Sequence, residues 1–253
     1  MSHPKYQIAM NSIIGTREEQ QDYALCKVDG NRAIAIVCDG MGGLAGGTLA
    51  SKMAAEKLTE LYMNKNFEES VPEFFLKSID ILDELIFNLK NENGEKLNAG
   101  TTLVAAVIEK DNLYWLSAGD SRLYILRGCE FIQVTRDHNY FLILDQMIKN
   151  GEISEKQYDL EAVKGEALIS FIGVGGIEVM DNNDSPLKLL HDDVILLSSD
   201  GLHKALMDDE TAQILKMPDI EESMDALMAN ASENARMSQD NTTCIIIRYA
   251  RTL

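Results

Sequence analysis

Ala33-Ile-Ala-Ile-Val-Cys-Asp39-Gly40-Met41-Gly42-Gly43-Leu44-Ala45 is the stretch on which the fold turns. Its unbroken apolar run reads as a buried strand, its glycines as a tight turn, and residues from about 45 to 64 as a helix. Gly40-x-Gly42-x-x-Ala45 nominally fits a dinucleotide-binding fingerprint. That fingerprint needs a second strand soon after the helix, ending in an acidic residue. The next segment instead repeats apolar residues at Phe75, Ile79, Leu82, Ile86 and Leu89. Spacings of three and four make it a second amphipathic helix over about 71–91. Two helices in succession argue against a βαβ unit. A P-loop over 42–48 fails as well, because Gly47-Thr48 lacks the lysine between them.

Outward from this stretch, 22–28 and 33–39 read as a hairpin around Asp29-Gly30-Asn31. The first helix is expected to bury Leu49, Met53, Leu58, Leu61 and Tyr62 on one face. Residues 101–135 read as a meander of four strands, at 101–109, 113–118, 121–126 and 130–135. Helices follow at 139–150 and 154–161, a strand at 193–198, helices near 208–216 and 220–234, and a last strand at 242–249. Hairpins set apart from paired helices imply an α+β architecture of antiparallel sheets covered by helices.

The chain has 253 residues, with 23 basic and 41 acidic side chains and a net charge of −18. No linker or low-complexity tract divides it, so one domain over 1–253 is expected. The negative charge argues against nucleic acid and anionic membranes as partners, since both require Lys and Arg. Residues 1–10 carry one lysine and no apolar core, unlike a signal peptide. The apolar runs fall far short of the ~20 residues that span a bilayer. Cys26, Cys38, Cys129 and Cys244 form no CxxC pair, which fits a reducing compartment and a cytoplasmic protein.

Two motifs are set aside. Cys26-x5-Arg32 imitates a cysteine-phosphatase loop, but the residues between are the hairpin turn itself. Asp181-Asn-Asn-Asp184-Ser185 hints at a calcium loop, but Pro186 stands where glycine is needed, and Asp192 replaces the final Glu. What remains is a set of aspartates at predicted strand ends: Asp22, Asp39, Asp120, Asp200 and Asp240. Asp39, Asp120 and Asp200 each adjoin a glycine, which lets a backbone carbonyl or a metal approach closely. Gathered at one sheet edge, five carboxylates would repel and raise one another's pKa. Divalent cations would relieve the conflict, and an all-oxygen ligand set suits magnesium and manganese.

With these residues in hand, the chain resembles the type-2C, metal-dependent protein Ser/Thr phosphatases in their compact bacterial-type form. Gly15-x-Arg17-x-x-Gln-Gln-Asp22 resembles the opening motif, and Asp39-Gly-Met-Gly-Gly43 with Gly47 and Ala50-Ser51 the second. Gly100-Thr-Thr102 and Ala118-Gly-Asp-Ser-Arg122 resemble the central motifs. Asp137-His138 and Gly151-Glu-Ile153 resemble the approach to the flap, and Ser198-Ser-Asp-Gly-Leu202 and Asp240-Asn-Thr-Thr243 the closing motifs.

The resemblance implies a four-layer α-β-β-α sandwich with a small flap at about 139–172. It implies that Asp39 bridges two Mn²⁺ or Mg²⁺ ions, with the Gly40 carbonyl on one and Asp200 and Asp240 on the other. Asp22 would act mostly through water, and Asp120 with Asp200 would hold a third ion. Arg17 would clamp the substrate phosphate. A metal-bridging hydroxide would then attack phosphoserine or phosphothreonine of a phosphorylated protein, opposing a cognate Ser/Thr kinase. A catalytically silent phosphoprotein-binding relative is the alternative. Met41 and Leu44 stand where other members carry histidines, so the loop offers no imidazole to protonate the leaving oxygen. Lys149, Lys156 and Lys164 of the flap read as solvated residues rather than a docking patch.

Overall fold

The computed structural model describes residues 5–42, 46–234 and 238–250. The deciding strand runs Arg32–Met41 (β3) and pairs antiparallel with Asp22–Asp29 (β2), register partners from Asp22↔Asp39 to Asp29↔Arg32. Gly30 takes φ +58° in the turn between them. The part of the glycine turn at Gly43, Leu44 and Ala45 lies outside the described residues.

β3 is apolar throughout because both of its faces are covered. Ile34, Ile36 and Cys38 pack under two helices, while Ala33, Ala35 and Val37 face a second sheet. Those helices are Gly46–Met63 (α1) and Val71–Phe87 (α2). Ser70 starts α2 with a reciprocal cap: Glu73 N–H donates to its Oγ, and its own N–H donates to the Glu73 carboxylate. The expected stripe on α2 is buried as read. On α1 the face is corrected. Leu49 is 38% exposed, and the buried line is Ala50, Ala54, Leu58 and Tyr62 at four-residue spacing. Alanines there let the helix lie close on the sheet, and close packing outweighs the burial of one leucine.

The seven-stranded sheet runs β10-β6-β5-β3-β2, with β4 on β3 and β9 on β6. Its further strands are Gly100–Thr101 (β4), Leu103–Glu109 (β5), Asn112–Ala118 (β6), Asp181–Asn182 (β9) and Leu187–Lys188 (β10). The five-stranded sheet runs β1-β12-β11-β7-β8, from Lys5–Ile13 (β1), Arg122–Arg127 (β7), Glu130–Gln133 (β8), Val194–Ser198 (β11) and Thr242–Ala250 (β12). All pairings between these strands are antiparallel. The meander at 101–135 is therefore corrected: it is two hairpins in different sheets. The chain crosses between sheets at Gly119-Asp120-Ser121, where Gly119 takes φ +107° and a Cβ would sit 2.7 Å from the Thr102 side chain. Sequence reasoning missed β1. Its Tyr6 and Ile8 turn to the layer between the sheets, while Ala9 and Ile13 turn the other way.

Outside the five-stranded sheet lie Asp200–His203 (α5), Asp208–Leu215 (α6) and Ile220–Asn234 (α7). Leu202, Leu215, Met224 and Leu227 pack there on Tyr124, Leu196 and Ile246. Helices, sheet, sheet and helices make the expected four layers. Between β8 and β9, Tyr140–Lys149 (α3) and Glu155–Glu161 (α4) form an excursion in which Leu144 is the buried helical residue. Its neck is closed by Tyr140 N–H to Ala167 O and Ile169 N–H to His138 O, 2.9 Å each. No described helix is long and apolar enough to cross a membrane.

Candidate metal centre

The strand ends that carry the five aspartates meet at one edge of the sandwich. Asp22 opens β2 directly opposite Asp39 near the end of β3. Ser198, the end of β11, is partnered by Arg122 of β7 and Cys244 of β12. That register brings Asp200, Asp120 and Asp240, which flank those strands, to the same end. Ser199 ties the two sheets together: its Oγ donates to Asp22 Oδ2 at 2.7 Å and accepts the Thr243 N–H at 2.9 Å.

The backbone here is held firmly. Asp39 N–H donates to Thr102 Oγ1 at 2.9 Å, and Asp39 O accepts from Thr102 N–H and Thr101 Oγ1. This gives the Gly100-Thr-Thr102 motif its physical reason. Gly40 admits no side chain, since a Cβ would lie 2.2 Å from Gly47 O and 2.6 Å from Gln21 O. Asn241 fastens the Arg17 loop: it accepts the Gln21 N–H at 2.8 Å and donates to Ile14 O and Glu19 O. The Ala118–Arg122 turn is locked to the next motif. Arg122 grips Asp137 with two hydrogen bonds, of 2.8 and 2.6 Å, and Gly119 N–H donates to His138 Nδ1 at 3.2 Å.

The electrostatics are those of crowded, buried acid. Burial, then the charges of Asp22, Asp200, Asp120 and Asp240, raise the Asp39 carboxyl well above its ordinary range. Burial also pushes Asp22 up to about 7, against hydrogen bonds from Ser199 and Thr243 and with Asp200 and Asp240 adding to the rise. Asp120 is pushed up to about 7 by burial and Asp200. Asp22 Oδ1 and Asp200 Oδ1 are buried with no hydrogen-bond partner. Buried polar oxygens are almost always satisfied, so two orphans in one nest point to a missing positive partner. Among the described residues no three acidic, His or Cys side chains close a ligand shell by themselves. Carboxylate and carbonyl oxygens are the donors that suit a hard cation keeping several waters, as magnesium does.

Arg17, 59% exposed at its side chain, meets Asp240 Oδ2 at 2.7 Å. One wall of an adjoining cavity of about 800 Å³ is formed by Arg17, His203, Lys204 and Asp240. Burial pushes the Cys26 thiol up to about 11, and Arg32 is engaged by Asp29 and stacked over Phe67. A protonated thiol without a free arginine is no phosphate-attacking loop.

Sequence reasoning quoted Ser199 and Asn241 within their motifs without giving them a role, and missed Lys204. Lys204 follows Asp200 by four residues, a helical spacing, but the sequence pattern placed a helix only from 208. Asp83 was also missed: buried on α2, it accepts the N–H groups of Gly173, Gly175 and Gly176 and pins the chain that follows the α3–α4 excursion.

Fold and site together define an acidic, cation-seeking centre at the sheet edge of an α-β-β-α sandwich. The family model for Protein phosphatase 2C matches residues 11–240. Serine/threonine phosphatase stp of Listeria monocytogenes serotype 4b (strain F2365) is 31% identical over 222 residues, covering 86% of this chain and 84% of its own. The structure of the S. agalactiae serine/threonine phosphatase superposes with a TM-score of 0.83 at 24% identity, covering 98% of this chain and 100% of that one. The catalytic domain of serine threonine protein phosphatase PstP, in complex with 2 manganese ions, superposes with a TM-score of 0.71 at 23% identity, covering 97% and 99%. The chain belongs to the protein phosphatase 2C family, and its activity is that of a protein serine/threonine phosphatase acting on phosphoproteins. These relatives lend no support to a catalytically silent reading.

Proposed function

We propose that this chain hydrolyses phosphoserine and phosphothreonine by direct attack of water, with Mn²⁺ or Mg²⁺ held at the aspartate nest. Asp39, central among the acids, would hold the ions together with the Gly40 carbonyl, Asp200 and Asp240, and Asp22 would act through water. Asp120 with Asp200 would hold a third ion. When bound, the ions supply Lewis acidity that makes water nucleophilic near neutral pH and stabilises charge on phosphorus. The two orphaned buried oxygens, Asp22 Oδ1 and Asp200 Oδ1, carry this reading. The 2 manganese ions of the PstP relative support it.

Arg17 binds the substrate phosphate through its planar fork. Its exposed pairing with Asp240 is worth only ~0–1 kcal/mol, so a dianionic phosphate can displace it. Thr101 and Thr102 keep the Asp39 backbone rigid, which fixes the carboxylate without further ordering on binding. Met41 has no proton to give, so the leaving oxygen takes its proton from water. The partner enzyme is a Ser/Thr kinase whose products this chain removes. Four unpaired cysteines support a cytoplasmic setting.

The test is turnover of p-nitrophenyl phosphate and a phosphothreonine peptide. Activity is expected with Mn²⁺, lost in EDTA and unchanged in Cys26→Ser. Turnover that survives EDTA and disappears in Cys26→Ser would overturn the proposal.

A further inference from the structure

Lys204 stands where the flap, the helix layer and the acidic centre meet. Its N–H caps α5 onto Asp200 O at 3.0 Å, and the same helical spacing sets its ammonium on Asp200 Oδ2. The ammonium lies 3.6 Å from Glu166 Oε2, in the segment returning from the flap. Asp120 feels it as well: burial and Asp200 raise the Asp120 carboxyl, and Lys204 pulls it back down. Asp200 and Glu166 hold the ammonium by contact, and Asp120 lies within reach of its charge. The side chain remains 42% exposed, so nothing in the packing forces it inward. Its position is set by charge.

We propose that Lys204 is a tethered counter-cation of the centre, holding the place between Asp120 and Asp200 that a third divalent ion would take. The chain then loads two divalent ions rather than three. Through Glu166, the same ammonium couples that place to the seating of the flap. The inference rests on the metal reading above for the ions and for the third position at Asp120 and Asp200. Its physical basis is competition. A cation on a short tether acts at an effective concentration on the order of millimolar, which a third ion must exceed to displace it. Lysine suits this role because its ammonium is a compact point charge on a flexible stem.

The experiment is equilibrium dialysis of the metal-stripped full chain against MnCl₂, with bound manganese measured by elemental analysis. Two ions per chain are expected for the wild type and for Lys204→Arg, which keeps the charge. Lys204→Met should take up a third, with a Kd at least about tenfold tighter than any third site in the wild type. Equal stoichiometry and affinity in wild type and Lys204→Met would overturn the proposal while leaving the metal centre intact. No manganese bound by any of the three would overturn both. Hydrogen exchange of the metal-free chain reads the coupling. Amides at 162–168 should exchange faster in Lys204→Met and in Glu166→Gln, and unchanged exchange in both would overturn the link to the flap.

Discussion

Buried Asp22 and half-buried Asp39 face each other as register partners, and buried Asp200 adds its charge to theirs. Ser199 is the neutral group that makes this tolerable. Its hydroxyl orients Asp22 and leaves Oδ1 free. Partners of metal-binding carboxylates are worth about 10–100-fold in affinity or activity. Ser199→Ala should therefore weaken Mn²⁺ activation by that order, and Asp200→Asn should lower kcat further while the chain still folds. Activity titrations against Mn²⁺, with circular dichroism as the folding control, check both; wild-type kcat in Asp200→Asn would contradict the site. The raised carboxyls also set a pH dependence. Asp22 and Asp120 have folded pKa values of about 7, above the ordinary carboxylate value, so the folded metal-free chain binds more protons than the unfolded one. Stability then falls as pH rises through the interval between the ordinary carboxylate pKa and about 7. Cations must displace those protons, so the gain in Tm on adding saturating Mn²⁺ should grow from pH 5 to pH 8. A gain independent of pH would show that these carboxyls are ionised without the metal.

The first helix shows how elements were legible and where they were not. The stripe 75–79–82–86 on α2, with Leu89 just past its end, was readable because large apolar residues carry it. On α1 the sheet needs closeness more than bulk, and the pattern of large residues misdirected the reading to Leu49. Leu49→Ala should change stability by under about 0.5 kcal/mol, as for most surface substitutions. Ala54→Leu should cost about 1–3 kcal/mol or more by overpacking. Urea midpoints of the two variants check the pair, and a larger loss in Leu49→Ala would reverse the correction. The site itself was legible as a list, because aspartates at strand ends are visible in sequence. Its assembly was not. The crossover at Gly119-Asp120-Ser121 looks like any hairpin turn until the sheets are paired, and β1 lacks a turn signal to announce it. Ser199 and Lys204 escaped because the one-turn helix that presents them is too short to show a period.

At the scale of the whole molecule, the net charge of −18 acts on everything that approaches. Five of the 41 acidic side chains sit in the nest, where the proposed divalent ions together with Lys204 would neutralise that charge locally. The rest of the negative charge is spread over the surface and is screened beyond about 8–10 Å at physiological salt. A phosphorylated segment must cross this field to reach Arg17, and the cavity beside it carries Glu210 along with Asp240. Acidic flanks are repelled on approach and basic flanks are drawn in, an effect on encounter rather than on the chemical step. Phosphothreonine peptides with Lys-rich flanks should therefore show higher kcat/KM than Glu-rich ones at low salt. Their kcat values should be similar, and the ratio of kcat/KM should shrink toward one at high salt. Equal kcat/KM at low salt would mean that the surface charge serves solubility alone and takes no part in choosing substrates.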